Sequence, residues 1–135
     1  MAIKTYHGSC HCGDVQYEAD IDLEAGTGKC NCSICHKSRA WGTNVKPDAF
    51  RLLTPKDKLA DYQFGTMQGH NLFCKRCGVR PFGDGDVPEI GGAFVSINIA
   101  TLDDITDEQL AALPVNYSNG KDNDWTNKPK VTSFL

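Results

Sequence analysis

Short segments in which apolar and polar side chains alternate recur along the chain, and this pattern predicts β-strands rather than long helices. The segment 14–19 places Val15, Tyr17 and Ala19 on one face. A second segment, 93–100, is rich in aromatic and β-branched residues, namely Phe94, Val95, Ile97 and Ile99. Weaker strand signals, separated by glycine and proline residues, lie at 41–45, 59–64 and 71–73. The pattern indicates a mostly β fold in which most strands run antiparallel.

Helical signals are few. Thr106 and Gln109 have the spacing of a capping box, in which each side chain binds the backbone of the other residue. The helix that begins there should end before Pro114, so we expect one short, peripheral helix. The chain has no linker, repeat or low-complexity segment that would separate two domains. Residues 1–135 are therefore predicted to form a single domain.

Seven cysteines occur in three tight clusters, and their spacing points to metal binding. Two clusters are pairs and one is a trio: Cys10 and Cys12; Cys30, Cys32 and Cys35; Cys74 and Cys77. A structural zinc ion takes four protein ligands, whereas a catalytic zinc ion keeps about three and leaves one position open. The simplest partition pools the two pairs in one four-sulfur site and gives the trio its own metal. On this hypothesis the chain binds two zinc ions, and the trio binds the catalytic one.

The two cysteine pairs need different backbone shapes. Cys74 and Cys77 have the two-residue gap of a zinc knuckle, and Gly78 can take the positive φ that such a turn needs. Cys10 and Cys12 are one residue apart, so a flat strand would direct their sulfurs to opposite faces. The chain must therefore bend between them. The flanking glycines that we expect to permit the bend are Gly8 and Gly13.

Three other interpretations of the cysteines fit the sequence less well. Disulfides are disfavoured because the first twelve residues contain no apolar signal-peptide core, which favours a reducing compartment. The segment from Cys32 to His36 matches the C-x-x-C-H pattern of haem attachment, but haem would leave Cys30 and both pairs without a role. A thioredoxin-like redox pair at Cys32 and Cys35 would also leave out Cys30, which metal ligation accommodates.

Positive charge surrounds the trio. Three thiolates on Zn²⁺ carry a net charge of about −1, and Lys29, Lys37 and Arg39 can offset this charge and attract an anionic ligand. The alternative is that these cations only solvate a loop. His36 is a candidate general acid or base, or a fourth metal ligand, although a surface position is the commonest one for a single histidine.

Other acidic and aromatic residues are further candidates for the chemistry near the trio. Asp84, Asp86 and Glu89 are candidate general acids, although the Asp-Gly-Asp sequence of residues 84–86 is first of all typical of a turn. Trp41 and Trp125 are candidates for lining a pocket, although burial in a core is the commoner role of tryptophan.

The composition limits the expected partners. The 14 basic and 17 acidic residues give a formal net charge of −3, and no run of Lys or Arg is present to neutralise a phosphate backbone. Nucleic acid is therefore not an expected partner. No apolar segment approaches the roughly 20 residues that are needed to span a bilayer. We expect a soluble, cytoplasmic protein with no membrane partner.

The three cysteine motifs, in their order along the chain, resemble those of the glutathione-dependent formaldehyde-activating enzyme family, which also includes the centromere protein V domain. The motifs are Gly8-Ser9-Cys10-His11-Cys12-Gly13, Cys30-Asn31-Cys32-Ser33-Ile34-Cys35, and Phe73-Cys74-Lys75-Arg76-Cys77-Gly78 followed by Phe82. Less specific similarity extends through 91–98 and 119–125, so the resemblance covers nearly the whole chain.

This resemblance implies a β-tent fold of antiparallel sheets with zinc knuckles, and it selects the pairing among the combinations that counting allows. It implies a structural zinc ion bound by Cys10, Cys12, Cys74 and Cys77, and a catalytic zinc ion bound by Cys30, Cys32 and Cys35. The implied activity is that of a carbon–sulfur lyase, in which glutathione adds to formaldehyde to give S-(hydroxymethyl)glutathione, or the reverse. The expected partners are thus a small thiol and a small aldehyde.

A second hypothesis is a zinc-stabilised binding module of the same fold that carries out no reaction. In that case a fourth ligand, such as His36, would close the trio site and prevent chemistry there. The unusual spacing of the trio and the cations around it favour the enzyme. The absence of an identifiable acid or base favours the binding module.

Overall fold

The computed structural model describes residues 3–135. These residues contain ten strands and two short α-helices. The first two residues of the predicted domain lie outside this range. The strands are β1 (Lys4–Ser9), β2 (Gln16–Ile21), β3 (Thr27–Cys30), β4 (Gly42–Val45), β5 (Phe50–Leu52), β6 (Leu59–Tyr62), β7 (Gly69–Cys74), β8 (Phe82–Val87), β9 (Gly92–Asn98) and β10 (Val115–Ser118). The α-helices are α1 (Ser33–Ser38) and α2 (Asp107–Ala111). The predicted mostly β fold is confirmed.

The strands form two sheets. The small sheet has the order β1-β2-β5, and the large sheet has the order β10-β3-β4-β9-β8-β7-β6. All neighbours in both sheets are antiparallel except β10 and β3, which run parallel at one end of the large sheet. Because parallel neighbours end at the same side, the chain after β10 emerges beside the chain after β3, where Ser118 is paired with Cys30.

The core lies between the two sheets and is centred on β2. The face predicted from segment 14–19 is confirmed, because Val15, Tyr17 and Ala19 are completely buried. The Tyr17 ring stacks on Phe50 and packs edge-on against Phe82, so it joins both sheets. Its buried hydroxyl lies 2.8 Å from the Thr101 hydroxyl, which satisfies a polar group that would otherwise destabilise the core.

Most of the predicted elements are present. The weaker strand signals correspond to β4, β6 and β7, and β9 occupies most of segment 93–100. Helix α2 follows Thr106, which forms the complete capping box with Gln109. By contrast, the turn expected at residues 84–86 is wrong, because these residues continue β8. Helix α1 was not predicted. Neither α-helix of residues 3–135 has the length and apolar character of a membrane span.

Gly8 has a different role from the one expected. It lies within β1 opposite Tyr17, and an added Cβ would overlap the Tyr17 ring. The bend at the first cysteine pair instead uses Gly13, whose φ is +86°. Gly8 is therefore required for the close approach of a core tyrosine to the β1 backbone, which the local sequence does not reveal.

Replacing Gly8 with alanine is expected to lower the free energy of unfolding by about 3 kcal/mol, since the methyl group overpacks a core that has no free volume there. Urea denaturation of the metal-loaded protein measures this change. Gly69→Ala is the control, because a Cβ at Gly69 would meet no atom closer than 3.9 Å. Equal stability of the two variants would show that β1 can move away from Tyr17.

Candidate metal centres

The first candidate metal centre consists of four sulfurs from the two cysteine pairs. The sulfurs of Cys10, Cys12, Cys74 and Cys77 all lie within 4.8 Å of one another. Cys12 Sγ is 3.7 Å from Cys10 Sγ and 3.6 Å from Cys74 Sγ. Four sulfurs around a zinc ion at about 2.3 Å would be roughly 3.8 Å apart, whereas disulfide sulfurs are about 2.05 Å apart. The spacing and the donor type are thus compatible with tetrahedral zinc.

Two tight turns build this four-sulfur site. At the first pair, the Gly13 N–H donates to the Cys10 carbonyl, and the Cys10 N–H donates to the Val15 carbonyl. At the second pair, Gly78 has the predicted positive φ of +76°, and its N–H donates to the Cys74 carbonyl. These bonds direct the sulfurs of two sequence-distant segments toward a common point, and these segments are the turn before β2 and the turn that begins with the last residue of β7.

Backbone N–H groups favour the ionised form of two of these four sulfurs, whereas burial and hydrogen bonds from neighbouring thiols raise the pKa of Cys12 to about 12. The Cys74 sulfur accepts N–H groups of Cys77 and Arg76, both at 3.4 Å, and these bonds lower the pKa of Cys74. Hydrogen bonds from the backbone at Cys12 and Val79 lower the pKa of Cys77 to about 6. Because only thiolates bind zinc, two sulfurs that ionise readily favour metal binding, and the remaining thiols release their protons when the metal binds.

The second candidate centre is the cysteine trio. Cys30 ends β3, Cys32 directly precedes α1, and Cys35 lies within α1. Their three sulfurs lie within 4.8 Å of one another. A hydrogen bond from the Cys35 thiol lowers the pKa of Cys32 to about 5, and the same bond, together with burial, raises the pKa of Cys35. Three half-buried sulfurs that share protons in this way are a second donor set compatible with zinc.

A loop that follows β10, residues 119–125, covers one side of the trio. The backbone of Gly120 forms a hydrogen bond with the Cys30 sulfur, and an added Cβ at Gly120 would lie 2.8 Å from this sulfur. Asn31, which is buried, holds the loop because its side chain donates to Asn119 Oδ1 at 2.9 Å and accepts the Lys121 N–H at 3.0 Å. The parallel pairing of β10 with β3 brings this loop to the trio.

The other residues singled out from the sequence are dispersed. His36 is exposed, and its ring packs against Phe134 at 4.9 Å between centroids. Across residues 3–135, the trio has no histidine or carboxylate in its group of converging atoms. Lys37 in α1 and Arg39 just after it are exposed. Asp86 in β8 and Glu89 after β8 are exposed as well. Asp84 lines a separate cavity with Asp61 and His70.

The two tryptophans occupy different environments near the trio. Trp41 is half-buried, and its Nε1 donates to the Thr27 hydroxyl at 2.8 Å. Lys29 Nζ lies 5.3 Å from the centre of its ring, which is a cation–π distance. Trp125 is 58% exposed and lies against Gly120 in the loop over Cys30.

A cleft of about 410 Å³ opens beside the trio, and two of the three trio cysteines, Cys30 and Cys35, line it. The polar residues that also line it are Thr27, Lys29, Thr43, Asn44, Arg80, Ser96, Asn116 and Ser118. Burial lowers the pKa of Arg80, while the charges of Cys35 and Cys32 act in the opposite direction. Arg80 was not predicted from the sequence, because it lies 45 positions after Cys35 (80 − 35). The available sequence signal was its position three residues after Cys77, the last ligand of the zinc knuckle.

Comparisons with known proteins found one family and one solved structure to which the chain is similar. The family model described as "Glutathione-dependent formaldehyde-activating enzyme" matches residues 5–118, a range that contains all seven cysteines. The structure is also similar to the crystal structure of a Rhodobacter sphaeroides protein, with a TM-score of 0.69 and 26% sequence identity. That match covers 82% of this chain and 99% of the other chain.

Proposed function

The chain belongs to the glutathione-dependent formaldehyde-activating enzyme family, and on that premise we propose that it is a zinc-dependent enzyme of the carbon–sulfur lyase type. It would add a small thiol, glutathione, to formaldehyde, or carry out the reverse reaction. The observation that carries this proposal is the three-sulfur cluster beside an open cleft, separate from a cluster that already has four sulfurs.

The two clusters would divide the work as their ligand counts suggest. Cys10, Cys12, Cys74 and Cys77 would hold a structural zinc ion, and Cys30, Cys32 and Cys35 would hold a catalytic one. A zinc ion with three protein ligands would accept the substrate thiol as a thiolate and polarise the aldehyde oxygen. None of the seven cysteines forms a disulfide, which suits the reducing cytoplasm in which we place the protein.

The proposed reaction is a simple addition. A sulfur–carbon bond forms, the carbonyl π bond of formaldehyde breaks, and the thiol proton ends on the former carbonyl oxygen. The chain's own part is to hold both reactants in the cleft and so convert an encounter in solution into a reaction within one complex. No carboxylate or histidine of residues 3–135 lines this cleft, and His36 packs against Phe134. We therefore assign the proton transfer to water in the cleft.

Metal analysis combined with X-ray absorption tests the proposal. Protein purified without oxygen is expected to contain about two zinc ions per chain, and one zinc shell should gain a sulfur when glutathione is added. Formaldehyde should then be consumed faster than in the uncatalysed reaction with glutathione, and Cys35→Ser should lose this acceleration. About one zinc per chain, or two shells that do not respond to thiols, would instead favour the zinc-stabilised binding module.

A further inference from the structure

We propose that the cleft beside the trio selects thiols that carry a carboxylate group, and that Arg80 is the residue that binds this carboxylate. This inference rests on the proposed function for the position of the reacting sulfur, which is at the trio. Glutathione itself carries carboxylate groups, and what is added here is the residue that recognises one of them and so discriminates such a thiol from an uncharged one.

The backbone at Arg80 is fixed by two neighbouring elements. On the preceding side, the Cys74 N–H donates to the Val79 carbonyl at 3.0 Å, so the zinc-knuckle turn determines where residue 80 begins. At Arg80 itself, the carbonyl accepts the Asn98 side-chain amide at 2.8 Å. On the following side, the Asn98 N–H donates to the carbonyl of Pro81, which is completely buried. Arg80 therefore projects from a rigid segment.

The Arg80 guanidinium lacks the partner that a half-buried cation requires. Across the described residues, no hydrogen bond or ion pair joins it to a protein acceptor, and its electrostatic interactions are with Cys35 and Cys32. Arginine has five N–H donors in a planar fork that fits a carboxylate through two parallel hydrogen bonds. Because leaving such donors unpaired costs free energy, a carboxylate ligand would gain strongly from pairing with them.

The remainder of the cleft also favours an anion. Its lining includes a second cation, Lys29, and no Asp or Glu side chain of residues 3–135. Lys29 is already engaged, because its Nζ donates to the Leu135 carbonyl at 3.3 Å and lies over the Trp41 ring. Arg80 is thus the cation of the cleft whose N–H donors have no protein acceptor among the described residues. Cys30 and Cys35 line the same cleft, so a ligand thiol and its carboxylate would be bound together.

The competing explanation is that Arg80 only offsets the negative charge of the three thiolates. That role would make Arg80 important for metal content and for every thiol to the same degree. Carboxylate recognition instead predicts an effect that depends on the carboxylate of the ligand. The two explanations are separated by a ligand that cannot bind the metal as a thiolate.

The experiment uses metal-loaded, full-length protein and two probes, S-methylglutathione and its diethyl ester. Calorimetry is expected to show that the wild-type protein binds the acid at least tenfold more tightly than the ester. Arg80→Gln should lose this preference, because the two charge-assisted hydrogen bonds are absent, and Arg80→Lys should keep only part of it. Lys37→Gln is the control: it removes one positive charge from the helix of Cys35, but Lys37 does not line the cleft.

The outcomes separate this inference from the proposed function. Equal binding of acid and ester by the wild-type protein, binding of neither, or an unchanged preference in Arg80→Gln would overturn the carboxylate role. If Arg80→Gln loses metal, the test rests on Arg80→Lys. Binding of the acid by Arg80→Lys as tight as by the wild-type protein would then overturn the carboxylate role. Turnover of glutathione and its diester at equal rates would reject carboxylate recognition by Arg80 but support the proposed enzyme activity. Arg80-dependent binding of the acid without any turnover would reject the proposed enzyme activity but support carboxylate recognition.

Discussion

Replacing Cys74 with serine is expected to abolish the cooperative thermal unfolding transition of the protein. Cys74 is 1% exposed, its sulfur lies 3.6 Å from Cys12 Sγ, and it accepts two backbone N–H groups. Metal binding to a structural zinc site contributes on the order of 10 kcal/mol, which equals the whole stability of many domains. Without this ligand, the site would no longer fasten the segment before β2 to the end of β7. Circular dichroism during heating measures the loss.

Cys35→Ser is the matched comparison, because it removes one sulfur from the other cluster. We expect this variant to lose about one equivalent of zinc and to keep a cooperative transition, since α1 and the trio lie outside the buried core. Metal content is measured by inductively coupled plasma mass spectrometry on both variants. Equal destabilisation by the two substitutions would contradict the division into a structural and a catalytic metal.

Local sequence signals were sufficient for much of the fold. The alternation around Tyr17 identified a buried strand face, and the Thr106 capping box marked the start of a helix. The positive φ of Gly78 followed from the requirements of a two-residue gap between ligands. In each case the physical cause lies within a few residues of the signal, so a single sequence contains all of the information needed.

The features that were missed depend on contacts between distant segments. The close approach of Gly8 to Tyr17 exists only because β1 pairs with β2 in one register. Residues 84–86 have turn-forming composition, but pairing of β8 with β7 and β9 on both sides keeps them extended. Arg80 reaches the trio only because the large sheet and the zinc knuckle bring it there. No local pattern encodes such neighbours.

The trio depends on parts of the chain that contribute no sulfur to it. Arg80 comes from the segment after the four-sulfur site, and Gly120 comes from the loop after β10. The first is positioned by the zinc knuckle and the second by the parallel pairing of β10 with β3. We infer that the sheet and the four-sulfur site together determine the surroundings of the proposed catalytic metal.

Replacing Gly120 with alanine is therefore expected to remove about one equivalent of zinc and to lower turnover about a hundredfold, the size of effect that a displacement of about 1 Å can cause. The added Cβ would lie 2.8 Å from Cys30 Sγ and 2.7 Å from Trp125 Cη2. Trp125 is largely exposed and can move away. The loop is held by the pairing of Ser118 with Cys30 and by the two hydrogen bonds of the Asn31 side chain, so we expect the Cys30 sulfur to be pushed out of the trio rather than the loop to lift.

Two comparisons identify the sulfur as the cause. Gly69→Ala should retain both zinc ions and full turnover, because its Cβ would have no neighbour within 3.8 Å. Trp125→Ala should retain both zinc ions, and adding it to Gly120→Ala should not restore the second one, since the clash with Cys30 Sγ persists. Restored zinc in the double variant would show that the tryptophan ring causes the defect, and normal zinc in Gly120→Ala alone would show that the loop yields without cost. The decisive quantity is therefore zinc per chain, which responds to the geometry around Cys30 before any activity is measured.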